Sequence, residues 1–272
     1  MVKLLTDDQL HCFQKQGIVY PIRVLSPDQS LAYRHVCDRL EAELGGQPRT
    51  VEVRQMHLHF AWAYRLATEP RILDAVEDLL GPDLVIWATE LFAKHPSDAS
   101  VSIGWHRDGP YMGLDPDQTL TAWVALSEST LENGCMRFAR EGDRKQTTQW
   151  QVRDSRSSAG GHVARNVPQG ETVPVILQAG EMSLHDVHVL HGSDPNRSNQ
   201  KRVGFAIRFT TPQVRPAVDR PPAILARGAD HYGYFELWEP PSADDRAAIG
   251  EMRLSARRHL DATLQNLQTA RR

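Results

Sequence analysis

His106 and Asp108 place an imidazole and a carboxylate two residues apart at the end of the β-type run VSIGWH. On a strand, residues i and i+2 face the same side, so both groups can reach one ion. An HxD pair alone is weak, and the chain carries a second one at His259 and Asp261. That second pair lies in a helical pattern, where two residues amount to ~200° of rotation, so its side chains diverge and cannot chelate. A histidine-rich segment, GEMSLHDVHVLHGS, holds His185, His188 and His191. Histidine is the commonest metal ligand. By strand parity His185 and His191 can both face inward, whereas His188 faces the other way. Eleven residues after His191, Arg202 opens the strand-like run KRVGFAIRFT. Two histidines and one carboxylate form a facial triad that leaves positions open on iron(II) for a bidentate 2-oxo acid and O2. An arginine suits the far carboxylate of such an acid, because its planar fork makes two charge-assisted hydrogen bonds.

The rest of the chain bounds what can position these groups. Its 272 residues are 40% hydrophobic and 24% charged, an ordinary globular mix that excludes a disordered, collagen-like or disulfide-scaffold chain. No apolar run is long enough to span a membrane, and the first residues lack the apolar stretch of a secretory signal. The formal net charge of −3 argues against a nucleic-acid partner. Cys12, Cys37 and Cys135 are widely spaced and form no CxxC, which fits reduced thiols in a cytoplasmic protein.

The first ninety residues read as mostly helical. Thr6 with Gln9 and Ser26 with Gln29 are capping boxes, and Pro27 sits at a first helical position. A third helix is expected over 71–80, closed by Gly81 and Pro82. From Leu84 the pattern becomes short β-type runs bounded by turns: LVIWATELFAK, VSIGWH, TLTAWVALS, CMRFA, TVPVIL, EMSLHDVHVLH and KRVGFAIRFT. Such spacing predicts a mainly β sandwich or barrel with flanking helices. The polar, glycine- and serine-rich stretch 140–172 reads as a lid or binding loop. A C-terminal helix is expected over 240–268. With no repeat or linker in view, one domain is expected over 1–272: a helical N-terminal region over 1–83, a β core over 84–212 and the C-terminal helix.

The stretches GWHRDGPYMGL, TAWVALSESTLENGCMRF and GEMSLHDVHVLHGSDPNRSNQKRVGFAIRF resemble the phytanoyl-CoA dioxygenase family of iron(II)/2-oxoglutarate oxygenases. The resemblance implies a double-stranded β-helix, the jelly roll of cupin-like proteins. It implies His106, Asp108 and His191 as catalytic iron ligands, Arg202 and Ser193 on the distal carboxylate of 2-oxoglutarate, and Trp123 in the cosubstrate pocket. Arg208 shares a strand face with Arg202 and is a candidate second anion contact. Gln55 falls where some members place a further cosubstrate contact. Members often read HQD where this chain has Arg107 in the middle, but that position points off the ligand face. They also often carry a PGSH turn where this chain runs from Arg140 to Arg144. Related halogenases replace the carboxylate ligand by a small residue; Asp108 disfavours that chemistry.

The implied activity is oxidation, most simply hydroxylation, of a C–H bond in a small metabolite, with Fe(II), 2-oxoglutarate and O2 consumed to succinate and CO2. Tyr111, Met112, His57, His59 and Trp62 are the candidate substrate wall, and Arg107, Arg140 and Arg144 could meet an anionic substrate. For the first group ordinary packing is the commoner role, and for the arginines a solvated charged face is. A metal- or ligand-binding jelly roll without turnover and a zinc hydrolase are the rival readings, since two histidines and a carboxylate also suit zinc.

Overall fold

The computed structural model describes residues 2–48, 52–96, 101–114, 118–140, 150–152, 162–164, 172–242 and 247–269. The expected lid, 140–172, therefore lies largely outside the described residues, and so does Arg144. The first helix, α1 (Asp7–Gln16), carries the capping box: Thr6 Oγ1 accepts from Gln9 N, and Gln9 Oε1 accepts from Thr6 N. Strand β1 (Ile18–Arg23) follows directly. Helix α2 (Pro27–Glu43) has the second capping box, from Ser26 and Gln29. Helices α3 (Ala61–Ala67) and α4 (Pro70–Leu80) complete the N-terminal region.

The remaining elements are β2 (Leu84–Lys94), β3 (Ile103–His106), α5 (Gly109–Met112), β4 (Thr119–Ala125), β5 (Met136–Ala139), β6 (Trp150–Val152), β7 (His162–Ala164), β8 (Thr172–Pro174), β9 (Glu181–Asp186), β10 (His191–Ser193), β11 (Arg202–Thr210), β12 (Pro222–Arg227), β13 (Glu236–Leu237) and α6 (Ala247–Thr269). A seven-stranded sheet runs in the order β1-β9-β4-β11-β2-β12-β13, a four-stranded sheet in the order β3-β10-β5-β8, and β6 pairs with β7 as a ribbon. This is the expected jelly roll with flanking helices.

Period-two alternation divides the large sheet. On β11, Val203, Phe205, Ile207 and Phe209 join the core shared with Leu66, Ile72 and Val76 of the helices. Burying a phenylalanine this way stabilises by ~1.5–3 kcal/mol. Arg202, Ala206 and Arg208 point to the opposite face and line a cavity. The neighbouring β4 repeats the division: Leu120, Ala122 and Val124 face the helices, while Thr121 and Trp123 line the cavity. Trp123 packs with Met136 and Phe138 of the smaller sheet and with Val175 just after β8, so the two sheets meet around this space.

Three expectations are corrected. The helical N-terminal region expected over 1–83 also holds a strand: β1 is an edge strand, paired antiparallel with β9 through Ile18 opposite His185. That partner is far away in sequence, and an edge strand tolerates Pro21, so local pattern carries little signal. The large sheet also extends past 84–212, through β1 at one edge and β12 beside β2 at the other. Finally, 181–191 is not one strand. It leaves the large sheet after Asp186 and re-enters in the small sheet at His191.

Gly204 lies under the indole of Trp123. A Cβ there would stand 1.9 Å from Trp123 Cζ2. Gly204→Ala must therefore displace the ring or the strand, at an expected loss of about 1–3 kcal/mol. Urea denaturation checks this; a loss under about 0.5 kcal/mol would mean the indole yields freely.

Candidate metal centre and active site

The small sheet brings the two ligand-bearing segments side by side, with His191 of β10 directly opposite His106 of β3. Their ring centroids are 4.2 Å apart. Asp108 does not share a strand with His106, as the spacing alone implies. The strand ends at His106, and Asp108, with φ −72° and ψ −34°, caps the short helix α5. The turn still brings its carboxylate back: Asp108 Oδ1 is 3.5 Å from His106 Nε2. Among the described residues, one donor atom each from His106, Asp108 and His191 lies within 4.8 Å of the other two, and all three residues are buried.

The hydrogen bonds suit a metal. His106 Nδ1 meets the carbonyl of Gly104 at 2.8 Å, and His191 Nδ1 meets that of Val189 at 2.9 Å. A carbonyl can only accept, so each ring carries its proton on Nδ1 and Nε2 is the basic nitrogen, as ligation requires. Burial, reinforced by His106, holds His191 well below its ordinary pKa, in the neutral form. Burial opposes charge on Asp108, yet His106 and His185, with His191 and Arg208, hold its carboxyl well below the usual range. Thr121 Oγ1 donates to Asp108 Oδ2 at 3.1 Å and orients it.

His185 also lines this cavity, 3.8 Å from Asp108 Oδ2, although it sits on the other sheet from His191. The parity shared by His185 and His191 is thus not a property of one strand; both reach the cavity because the sheets face each other. Arg107 does point away from the ligands. It is buried, and its guanidinium donates to the carbonyl of His188. It ties the HRD turn to the segment that leads into His191, and it does not line the cavity.

At one end of the cavity two basic side chains are buried together, Arg202 lining it and Lys94 behind Ser193. Arg202 and Lys94 are paired in register across β11 and β2, and are 2% and 1% exposed. Arg202 Nη1 donates to Gly134 O at 2.7 Å, and its guanidinium lies 5.2 Å from the centre of the Trp123 ring. Its Nε is buried with no hydrogen-bond partner among the described residues. Lys94 Nζ donates to Ser193 Oγ at 2.6 Å, to Gly134 O and to Asp194 O. In its protonated form Lys94 only donates, so Ser193 then accepts and its own hydroxyl proton is directed elsewhere. Asp194, whose charge reaches Lys94, is largely exposed and 3.5 Å from Arg137. Burial and the neighbouring Arg202 push Lys94 down to about 6, and burial pushes Arg202 down to about 10. Gly134 presents its carbonyl to both cations from a left-handed turn, φ 76°, where a Cβ would lie 2.3 Å from Asp194 O. Asn196 and Ser198 of HGSDPNRS hold the connecting loop: Asn196 Nδ2 donates to Lys94 O and Gln200 O, and Ser198 N donates to Asn196 Oδ1.

The opposite end is built differently. Arg54 Nε donates to Glu90 Oε1 at 2.6 Å, and Arg208 lies 2.9 Å from Glu90 Oε2. Trp87 and His259 complete that wall, with rings 5.3 Å apart. Gln55 does not line the cavity; its amide donates to Trp87 O and pairs with His259 Nδ1. His57 is also removed from it. That ring is fully buried between Thr89 Oγ1 and Ile86 O, and burial pushes it down to about 3. His59 contacts Ser255 of α6, and Trp62 packs on Phe205 in the helical core. Met112 does line the cavity. The side chain of Tyr111 lies outside the described residues, and Arg140 does not line the cavity.

Sequence reasoning misses Lys94, Glu90, Arg54, Trp87 and His259. Lys94 and Glu90 carry a signal: both charges fall on one parity of the otherwise apolar run LVIWATELFAK. His259 carries one too, since Ala248, Met252, Ala256 and His259 follow helical spacing on one face. The chelation argument dismisses it because His259 and Asp261 cannot bind one ion together. That geometry holds, with Asp261 exposed, but it leaves open what His259 does alone.

The family model for phytanoyl-CoA dioxygenase (PhyH) matches residues 13–204. The apo structure of ThoJ, a non-heme monooxygenase, superposes with a TM-score of 0.81 at 32% identity, covering 95% of this chain and 98% of that one. A probable alpha-ketoglutarate-dependent hypophosphite dioxygenase from Stutzerimonas stutzeri is 27% identical over 68% of this chain and 62% of its own length. Dioxygenase lolE1 from Epichloe uncinata is 27% identical over 48% of this chain and 47% of its own. The chain thus spans less than two thirds of the length of these curated relatives. CytC3 with Fe(II) and alpha-ketoglutarate, at 19% identity and a TM-score of 0.65, shares the fold. Among the described residues no helix is long and apolar enough to cross a membrane. With its His106, Asp108 and His191 site and a family match over more than half its length, the chain belongs to the phytanoyl-CoA dioxygenase family of iron(II)/2-oxoglutarate-dependent oxygenases.

Proposed function

We propose that the protein is a 2-oxoglutarate-dependent dioxygenase that hydroxylates a C–H bond of a small metabolite. The observation that carries this reading is the pairing of a buried His/Asp/His donor set with the buried guanidinium of Arg202, backed by Lys94, at one end of the same cavity. Iron(II) held by His106, Asp108 and His191, with 2-oxoglutarate and O2, would supply the oxidising power and yield succinate and CO2 as co-products.

The chain's own residues have distinct tasks. The carbonyls of Gly104 and Val189 fix the histidine tautomers, and Thr121 fixes the Asp108 carboxylate. Arg202 is positioned to grip the distal carboxylate, with its unpartnered Nε–H as one donor. When Lys94 is protonated, as beside a bound carboxylate, it occupies the acceptor side of Ser193, whose hydroxyl proton then serves the same group. Trp123 walls this end, and Ala206, on the same face of β11, leaves room beside it. Water is thereby kept from the charges, which strengthens their hold on an anion. A zinc hydrolase needs only the triad and an open position, so the buried Arg202 beside it favours the oxygenase reading.

Succinate formation from 2-oxoglutarate with iron(II) in air tests the activity. His106→Ala, Asp108→Ala and His191→Ala should each abolish it and the bound iron; full turnover in any of them contradicts the assignment. Arg202→Gln should weaken 2-oxoglutarate binding by about ten- to a hundredfold, the value of a charge-assisted hydrogen bond. Lys94→Met should weaken it as well, and titration calorimetry reads both.

Lys94 also predicts a pH dependence of the metal-free protein. An unfolded lysine titrates near ~10.4, so between about 6 and ~10 the unfolded chain binds a proton that folded Lys94 has released. Stability should therefore rise with pH across this window, and below it the cost of burying the charge is fully present. Lys94→Met should flatten that slope in urea melts taken at several pH values; an unchanged slope would remove Lys94 as its source.

A further inference from the structure

Six residues separate Arg202 from Arg208 on one strand, a distance of ~20 Å at ~3.3 Å per residue. Both line the same cavity, with Ala206 between them on that face. Arg208 stands opposite Thr121, the residue that orients Asp108, and its charge acts on Asp108. A five-carbon diacid bound to the triad and gripped by Arg202 extends away from Arg208. The Arg208 end is therefore left for the other reactant, on the reading given under Proposed function.

That end has a definite chemistry. Glu90, 1% exposed, is shared by Arg54 and Arg208, so one buried carboxylate faces two guanidiniums. The indole of Trp87 lines the same wall, and its Nε1–H is buried with no hydrogen-bond partner among the described residues. Gln55 uses one amide hydrogen on the carbonyl of Trp87, which fixes the amide's orientation. Its other hydrogen then points to His259 Nδ1, so that nitrogen accepts, and the ring is neutral with its proton on Nε2. The wall is thus rich in donors: two guanidiniums aligned by Glu90, with Asp108 of the triad also acting on Arg208, and an indole N–H with no partner among the described residues.

We infer that the substrate is a small organic acid whose carboxylate or phosphonate group binds between Arg208, Arg54 and Trp87. Glu90 aligns the two guanidiniums as positioning residue. The site lies beside Asp108, so the oxidised C–H bond is within a few bonds of the acid group. An acid group accepts from these donors through charge-assisted hydrogen bonds, which are stronger than those a neutral acceptor makes.

The test uses the full protein loaded anaerobically with iron(II) and 2-oxoglutarate, followed by the charge-transfer absorption of that complex. Matched short-chain carboxylic acids, phosphonic acids and their neutral amides or methyl esters are titrated in, and those that bind are assayed for succinate. Acids of one series should perturb the spectrum and drive turnover, and their neutral counterparts should not; which series does so distinguishes carboxylate from phosphonate. Arg208→Gln should raise KM for the acid about tenfold or more while leaving the affinity for 2-oxoglutarate within about twofold. Arg208→Lys, which keeps the charge, should recover some of the loss. The inference is overturned if neutral compounds bind as well as acids, if no acid perturbs the complex, or if Arg208→Gln weakens 2-oxoglutarate instead. Failure of the underlying oxygenase reading is distinct: the charge-transfer band would then be missing before any acid is added.

Discussion

Arg202, Ala206 and Arg208 reach the cavity from one face of β11, while Val203, Phe205, Ile207 and Phe209 pack into the helical core from the other. Because the side-chain period of a strand is two, these assignments stand or fall together. A one-residue slip would drive two guanidiniums into the core and turn four large apolar side chains toward the site. The register is fixed by β2 on one side and β4 on the other, which together pair nearly every residue of β11. The hydrophobic energy of the helical core therefore does more than stabilise the fold. It fixes where the charges of the site must stand.

Those charges are sorted along the strand. Lys94 and Arg202 sit at one end, the His/Asp/His group lies between, and Arg54, Glu90 and Arg208 stand at the other. Buried charge is costly unless it is paired or hydrogen-bonded. The fold meets that cost with fixed partners: Gly134 O for both cations, Ser193 Oγ for Lys94, Thr121 Oγ1 for Asp108, and Glu90 for two arginines. Two donors stay without a partner among the described residues: the Nε–H of Arg202 at one end and the indole N–H of Trp87 at the other.

Much of this is legible in the sequence because it is local. The capping boxes at Thr6 and Ser26, the strand alternation of KRVGFAIRFT and the HxD and HGS motifs each reside in a short window. What is not legible depends on contacts between distant segments. β1 is a strand because β9, more than 150 residues on, accepts it at the sheet edge. His106 and Asp108 converge through a strand-to-helix turn, which parity along a strand cannot describe. His185 and His191 share a cavity while lying on different sheets, since the chain crosses between them at 187–190. His259 escapes for another reason: testing a histidine only for a neighbouring carboxylate overlooks a ring that closes a wall with Trp87 and Gln55.

The central claim is that His106, Asp108 and His191 hold one iron(II) with 2-oxoglutarate extending toward Arg202. A crystal structure of the protein grown anaerobically with both tests it most directly. The account predicts a single ion bound through Nε2 of His106, Nε2 of His191 and the Asp108 carboxylate, with the distal carboxylate of the cosubstrate on Arg202 and Ser193. An ion bound through His185 in place of His191, or a diacid lying against Arg208 with Arg202 uncontacted, would contradict it.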